Sequence, residues 1–178
     1  MRALLATLAE AFAYFSTIRV PCVYASSAPS PRALSALPIV GAVIGAAAGA
    51  IGYGVARAGS PLLGDAAAFT SIIVLSGGIH LDGFLDSCDA LFASTSAQQR
   101  LEILKDPRHG TYAVAGMAIL TVWWLATLSL TKPADLPLRL LLACAISRAA
   151  AIVPAYMHRY ARALPSSALQ RPPSAVLV

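Results

Sequence analysis

Residues 34–56 read LSALPIVGAVIGAAAGAIGYGVA, an apolar run without a single charge. A helix of that length reaches across the ~30 Å hydrocarbon core of a bilayer at about 1.5 Å per residue. The rest of the chain agrees with this reading. Its 178 residues are 58% hydrophobic and 12% charged, with a mean hydropathy of +0.71, whereas an average soluble domain is about 25% charged. These values predict an all-α, polytopic integral membrane protein whose apolar surface is covered by lipid rather than folded into one globular core. Within the run, Gly41, Gly45 and Gly49 recur every fourth residue among alanines. Such a stripe lets two helix backbones approach closely, either inside one chain or between two copies in a homo-oligomer. A groove lined by glycines for a substrate is the functional alternative.

On the N-terminal side, residues 1–20, MRALLATLAEAFAYFSTIRV, predict an amphipathic interfacial helix interrupted at Glu10 and ended by Arg19. No small-residue cleavage site closes it as a signal peptide. Residues 21–33 are a Pro/Ser-rich loop. On the C-terminal side three more spans are expected, for about four in all. Leu63 to Leu81 is the second, with Asp65 near its outer end, and Thr111 to Thr131 the third. Trp123 and Trp124 in the third span read as interfacial or packing groups before they read as a ligand platform. Leu136 to Met157 is the fourth span, with Arg148 in its middle and Pro154 near its end. An ionisable residue at such depth is costly and points to function, unless it snorkels or is paired for structure. Residues 158–178 are basic and then Pro/Ser-rich, as in a tail or an interrupted loop.

Between the second and third spans lies a polar island, residues 76–113, SGGIHLDGFLDSCDALFASTSAQQRLEILKDPRHGTYA. Of the chain's eight acidic residues, Asp82, Asp86, Asp89, Glu102 and Asp106 fall here. The first three stand at i, i+4 and i+7, one face of a helix, where like charges repel by a few tenths of a kcal/mol per pair. A solvated surface is the ordinary explanation of such a cluster. Its confinement to one island in an otherwise nearly uncharged chain favours a cation instead. Mg²⁺ suits it, as a hard ion that shares carboxylate oxygens with those of a substrate phosphate. Gly83 leaves room for a ligand beside Asp82. Glu102 and Asp106 form a second i, i+4 acidic pair among Arg100, Lys105 and Arg108. Acid for metal and base for phosphate, in one loop, is what phosphoryl transfer needs.

The two halves of the island, GGIHLDGFLDSCDAL and RLEILKDPRHGTYA, resemble the cobalamin synthase family, the adenosylcobinamide-GDP ribazoletransferases. Gly77, Gly78, His80, Leu81, Asp82, Gly83, Asp86 and Asp89 match the family's first block. Arg100, Leu101, Glu102, Ile103, Lys105, Asp106, Arg108 and Gly110 match its second. FSTIRVP, residues 15–21, is similar to the family's N-terminal region, and Arg148 to an arginine of a family helix. Ala90 and His109 depart from the pattern without removing a charged group.

The resemblance implies one membrane-embedded transferase domain over 1–178, in the cell inner membrane, C-terminally short relative to the family and therefore of weak activity on its own. It would join adenosylcobinamide-GDP to α-ribazole or its 5′-phosphate with release of GMP, late in cobalamin assembly. Asp82, Asp86 and Asp89 would hold Mg²⁺, and Lys105 and Arg108 would neutralise phosphate. His80 or Asp89 would serve as base, while Gly83, Glu102, Asp106 and Arg148 would contact the substrate.

Other classes stay open on the residues alone. A CDP-alcohol phosphotransferase or membrane prenyltransferase also uses spaced aspartates with Mg²⁺, but residues 85 and 86 do not supply the Ala-Arg of the former. The Lys105/Arg108 block fits the latter less naturally. A small cation transporter is expected to carry its carboxylates in broken helices, whereas a complete second span is expected here. With the island cytoplasmic, only Arg57, Lys132 and Arg139 fall outside and Arg148 falls within a span, in keeping with the positive-inside rule. The net charge of +5 is thus explained by topology and anionic lipid, and no nucleic-acid-reading motif is present. Cys22, Cys88 and Cys144 show no paired spacing and are expected as free thiols, with Cys88 turned off the acidic face. His109 and His158 are read as interfacial.

Overall fold

The computed structural model describes residues 2–21 and 29–157. Its elements in order are α1 (Arg2–Phe15), α2 (Pro31–Ser35), α3 (Leu37–Ala58), α4 (Pro61–Leu75), α5 (Ile79–Phe92), α6 (Ala97–Ile103), α7 (Thr111–Ser129) and α8 (Leu136–Met157), with a 3-10 turn at Pro133–Asp135. The described residues are all-helical apart from turns and short loops. Leu37–Ala58, Thr111–Ser129 and Pro133–Pro154 are each long and apolar enough to cross a membrane. The expected all-α membrane architecture is therefore observed. The readings of Cys22, His158 and the tail 158–178 lie outside the described residues.

The second span differs from expectation. No single helix runs from Leu63 to Leu81; α4 stops at Leu75, and α5 departs from it at 91°. The cause is local. Gly77 and Gly78 both adopt left-handed backbone, with φ of 65° and 72°, a conformation that costs other residues dearly. Gly78 N–H donates to the Ile73 carbonyl at 2.9 Å and Gly77 N–H to the Val74 carbonyl at 3.1 Å, the two bonds of a Schellman cap. A 15-residue helix is about 22 Å long, too short to cross alone, so α4 and α5 together make a broken span or a re-entrant pair.

Glu10 also differs from expectation, because it does not interrupt the first helix. α1 runs through it, and its carboxylate accepts hydrogen bonds at 2.8 Å from both the backbone N–H and the hydroxyl of Ser30. The same Ser30 side chain caps α2. Ala11 and Phe15 of α1 are buried against Leu37, Val40 and Ile44 of α3.

α3 is the central helix, lying against α8 on one side and α4 on the other. The glycine stripe is used inside the chain. A Cβ at Gly41 or Gly45 would overlap the Cys144 or Leu140 carbonyl, and one at Gly49 would lie 2.5 Å from Pro137 Cα. Leu136, Leu140, Cys144 and Arg148 form the facing stripe of α8, all buried and four residues apart, so the helices run antiparallel with backbones almost touching. Gly52 and Gly64 do the same for α3 and α4. By contrast α7 buries only Ala113 and Leu128. Its exposed Val114, Ile119, Val122 and Trp123 form the kind of apolar face that lipid covers.

Gly54 tests the close-packing argument, because nothing lies within 4 Å of a Cβ built there. Gly45→Val should destabilise the protein in detergent by at least the ~1–3 kcal/mol typical of overpacking. Gly54→Val should not, and thermal unfolding followed by circular dichroism measures the contrast.

Candidate functional site

The Gly77–Gly78 turn exposes the start of α5 and sets Asp82 in its first turn, where the helix dipole favours a negative group. An open cleft of about 590 Å³ lies here, bounded by Tyr14 and Ser16 at the end of α1, Gly77 and Gly78 of the turn, Asp82, and His109. The N-terminal segment is fastened to this place. Thr17 donates its N–H to the Leu75 carbonyl at 2.9 Å and its hydroxyl to the Val74 carbonyl at 3.1 Å, adding donors to carbonyls of the last turn of α4.

Asp82 and Asp86 stand one turn apart on α5, with side chains 67% and 27% exposed. Between them lies His109, with Nε2 3.7 Å from Asp82 Oδ1 and Nδ1 3.8 Å from Asp86 Oδ1. Asp89 shares the face but has different partners. Its two oxygens accept the N–H of Gly110 at 2.6 Å and of Ala113 at 2.9 Å, so the buried carboxylate caps the N-terminus of α7. Gly110 is required by this arrangement, since a Cβ there would fall 2.8 Å from Asp89 Oδ1. Among the described residues no three His, Cys, Asp or Glu side chains converge on a single metal position. Asp82 and His109 therefore line the cleft, Asp86 lies one turn further on beside the same ring, and Asp89 fixes the segment that carries His109.

The remaining expected residues divide. Gly83 has nothing within 4 Å of a Cβ position and leaves open space beside Asp82. Lys105 and Arg108 lie apart from the cleft lining. Lys105 pairs with Glu102 at 2.8 Å. Arg108 forms a fork on Asp106, Nε to Oδ1 at 2.9 Å and Nη2 to Oδ2 at 2.7 Å. Hydrogen bonds from Arg108 hold the Asp106 carboxyl down to about 2, so the pair is charged throughout the neutral range. His80 and Arg148 line a different, adjoining cavity. Cys88 and Cys144 are free and buried, and Cys88 packs at Gly116 of α7.

His109, expected only as an interfacial residue and not as part of the site, has its ring within 4 Å of the Asp82 and Asp86 carboxylates. Tyr14 and Ser16 were not among the expected site residues either. The signals for them were the glycine following His109, which permits the Asp89 cap, and the similarity of residues 15–21 to a family segment.

Helices long and apolar enough to cross a membrane, a broken helix pair and a cleft bearing Asp82 beside its glycine turn define the class as a polytopic membrane protein with a polar site at a helix break. Residues 7–176 match the family described as cobalamin-5-phosphate synthase, and the chain belongs to that family. Adenosylcobinamide-GDP ribazoletransferase of Escherichia coli (strain K12) is 38% identical over 140 residues, covering 74% of this chain and 54% of that protein. The protein of the same name from Shigella boydii serotype 4 (strain Sb227) is 39% identical over 140 residues with the same coverage. The chain thus spans about half the length of the curated relatives it matches. No solved structure matches it.

The cap predicts a separation of roles. Asp89→Ala leaves the buried N–H of Ala113 and the more exposed N–H of Gly110 without their acceptor and should cost about 2–3 kcal/mol, given the strength of hydrogen bonds to charged acceptors. Asp82→Asn, on an exposed side chain, should leave the unfolding midpoint unchanged. Parallel thermal melts of the two variants in detergent test this.

Proposed function

We propose that the chain forms the diphosphate-handling part of an adenosylcobinamide-GDP ribazoletransferase. In this reading a ribose hydroxyl of α-ribazole, or of its 5′-phosphate, attacks the phosphorus that bears the cobinamide arm. A phosphorus–oxygen bond to the ribose forms as the bond to GMP breaks, and the hydroxyl proton passes to a base in the cleft. The observation that carries the proposal is the grouping of Asp82 and Asp86 about His109 at the open cleft beside the glycine turn, which Asp82 and His109 line, in a chain of this family.

Two carboxylates one turn apart suit Mg²⁺, which is commonly held by one or two carboxylates with waters and substrate phosphates. Bound there it would neutralise charge on the diphosphate. The chain's own residues do the rest. Asp82 and Asp86 would hold the ion that screens the diphosphate, and the backbone of Gly77 and Gly78 leaves room for the diphosphate to approach closely. His109 is the group best disposed to take the proton, since Asp89 is committed to the helix cap and His80 lines the neighbouring cavity. Such catalysis rests mainly on positioning and charge. Lys105 and Arg108 reach phosphate only by leaving Glu102 and Asp106, so their part is at cleft closure or substrate entry.

The transporter alternative can no longer be set aside on the ground that the carboxylates follow a complete span, because they follow a broken one. Family membership favours the transferase instead. The cleft is assigned to the cytoplasmic side of the inner membrane, with the bilayer around α3, α7 and α8, on the distribution of Lys and Arg.

Asp82→Asn and Asp86→Asn should each reduce Mg²⁺-dependent GMP release from adenosylcobinamide-GDP and α-ribazole at least 100-fold, while membrane insertion persists. Near wild-type release from both variants would remove the assignment. Single cysteines at 60 and 95 test the orientation in intact cells, where 60 should react with an impermeant thiol reagent and 95 should not.

A further inference from the structure

A second cavity, of about 360 Å³, lies between α4, α5, α7 and α8 and adjoins the aspartate cleft, with which it shares Ser76 and Leu81. Phe69, Phe84 and Trp124 give it an aromatic wall, and His80, Ser147 and Arg148 are among its polar lining. Phe69 and Trp124 are in ring contact, with centroids 5.1 Å apart. No Asp or Glu lines it.

Arg148 is only 7% exposed. Its Nη1 donates weakly to the Cys144 carbonyl at 3.4 Å and to Ser147 Oγ at 3.3 Å, both on its own helix. Its Nε has no hydrogen-bond partner, and the same is true of the Trp124 indole N–H. Among the described residues no carboxylate lies within ion-pair distance of it. A buried cation without an anion is expensive at membrane depth, and so is an orphaned donor. Both excesses are of donors and positive charge, so the group that would satisfy them is an anion with several acceptor oxygens. Phe84 and Ser147 are exposed at the bundle surface, so the cavity is reached from the side of the bundle.

We propose that this cavity binds a phosphate-bearing amphiphile, its phosphate on Arg148 and Ser147 and its apolar body against Phe69, Phe84 and Trp124. Two sources share that chemistry: an aromatic nucleoside monophosphate such as α-ribazole 5′-phosphate, and an anionic phospholipid. The first rests on the proposed function and the second does not.

The test reads binding rather than GMP release, so it fails separately from the transferase reading. Trp123, which is 70% exposed, is replaced by Phe, leaving Trp124 as the single indole reporter in the 178-residue chain. In phosphatidylcholine nanodiscs, α-ribazole 5′-phosphate should change Trp124 emission saturably, and α-ribazole without phosphate should bind at least tenfold more weakly. If lipid is the source, emission should instead change when phosphatidylglycerol replaces phosphatidylcholine, with no response to the nucleotide. In either case Arg148→Gln should abolish the response and Arg148→Lys should keep part of it. Ala143→Leu, which fills the cavity without touching the charge, should abolish it too, and circular dichroism checks that each variant is folded. Silence of Trp124 to both anions overturns the proposal. So does a response in folded Arg148→Gln or Ala143→Leu within twofold of the parent.

Discussion

Two consecutive glycines in left-handed backbone hold the molecule's working parts in relation to one another. The Gly77–Gly78 cap ends α4 before it has crossed a bilayer and sends α5 off at 91°. Without that turn the helix would continue along its own axis and Asp82 would not front an open cleft. The turn is itself braced from a distance. Thr17 supplies donors to the last carbonyls of α4, so the segment after α1 closes one wall of the cleft while satisfying a helix end.

A second constraint comes from the far end of α5. The i+7 spacing that puts Asp89 on the face of Asp82 also points it at the start of α7. There its carboxylate meets two unpaired backbone N–H groups, an arrangement favoured by hydrogen bonding and by the helix dipole. One acidic residue thereby relieves part of the repulsion in the stripe and anchors the 107–113 segment. That anchoring brings His109 over the remaining pair.

Much of the fold was legible in the sequence because hydropathy is a long-range average. The uncharged run at 34–56, the span ending at Ser129 and the bounds of α8 all emerge from composition and length alone. The break in the second span was less legible. Residues 63–81 are apolar enough to average into one helix, and only the φ of the two glycines at 77 and 78 ends it early. Spacing placed all three aspartates on one face correctly, but it carried no information about which would meet a helix end 21 residues later in sequence. His109 was hidden for the same reason, its role being created by a contact distant in the chain. Glu10 looked like an interruption because its partner, Ser30, lies across the Pro/Ser loop.

The glycine stripe of α3 has a consequence beyond close packing. At Gly41 the space a methyl group would need is already occupied by the Arg148 side chain and the Cys144 carbonyl. Any larger residue at 41 meets the aliphatic stem of Arg148 and also a backbone carbonyl that no substitution removes, so shortening the arginine alone leaves the position closed to a Cβ. The approach of α3 to α8 that forbids a side chain at 41 also confines the stem of a cation buried among the spans, and it is the neighbouring backbone rather than the charge that keeps the position a glycine.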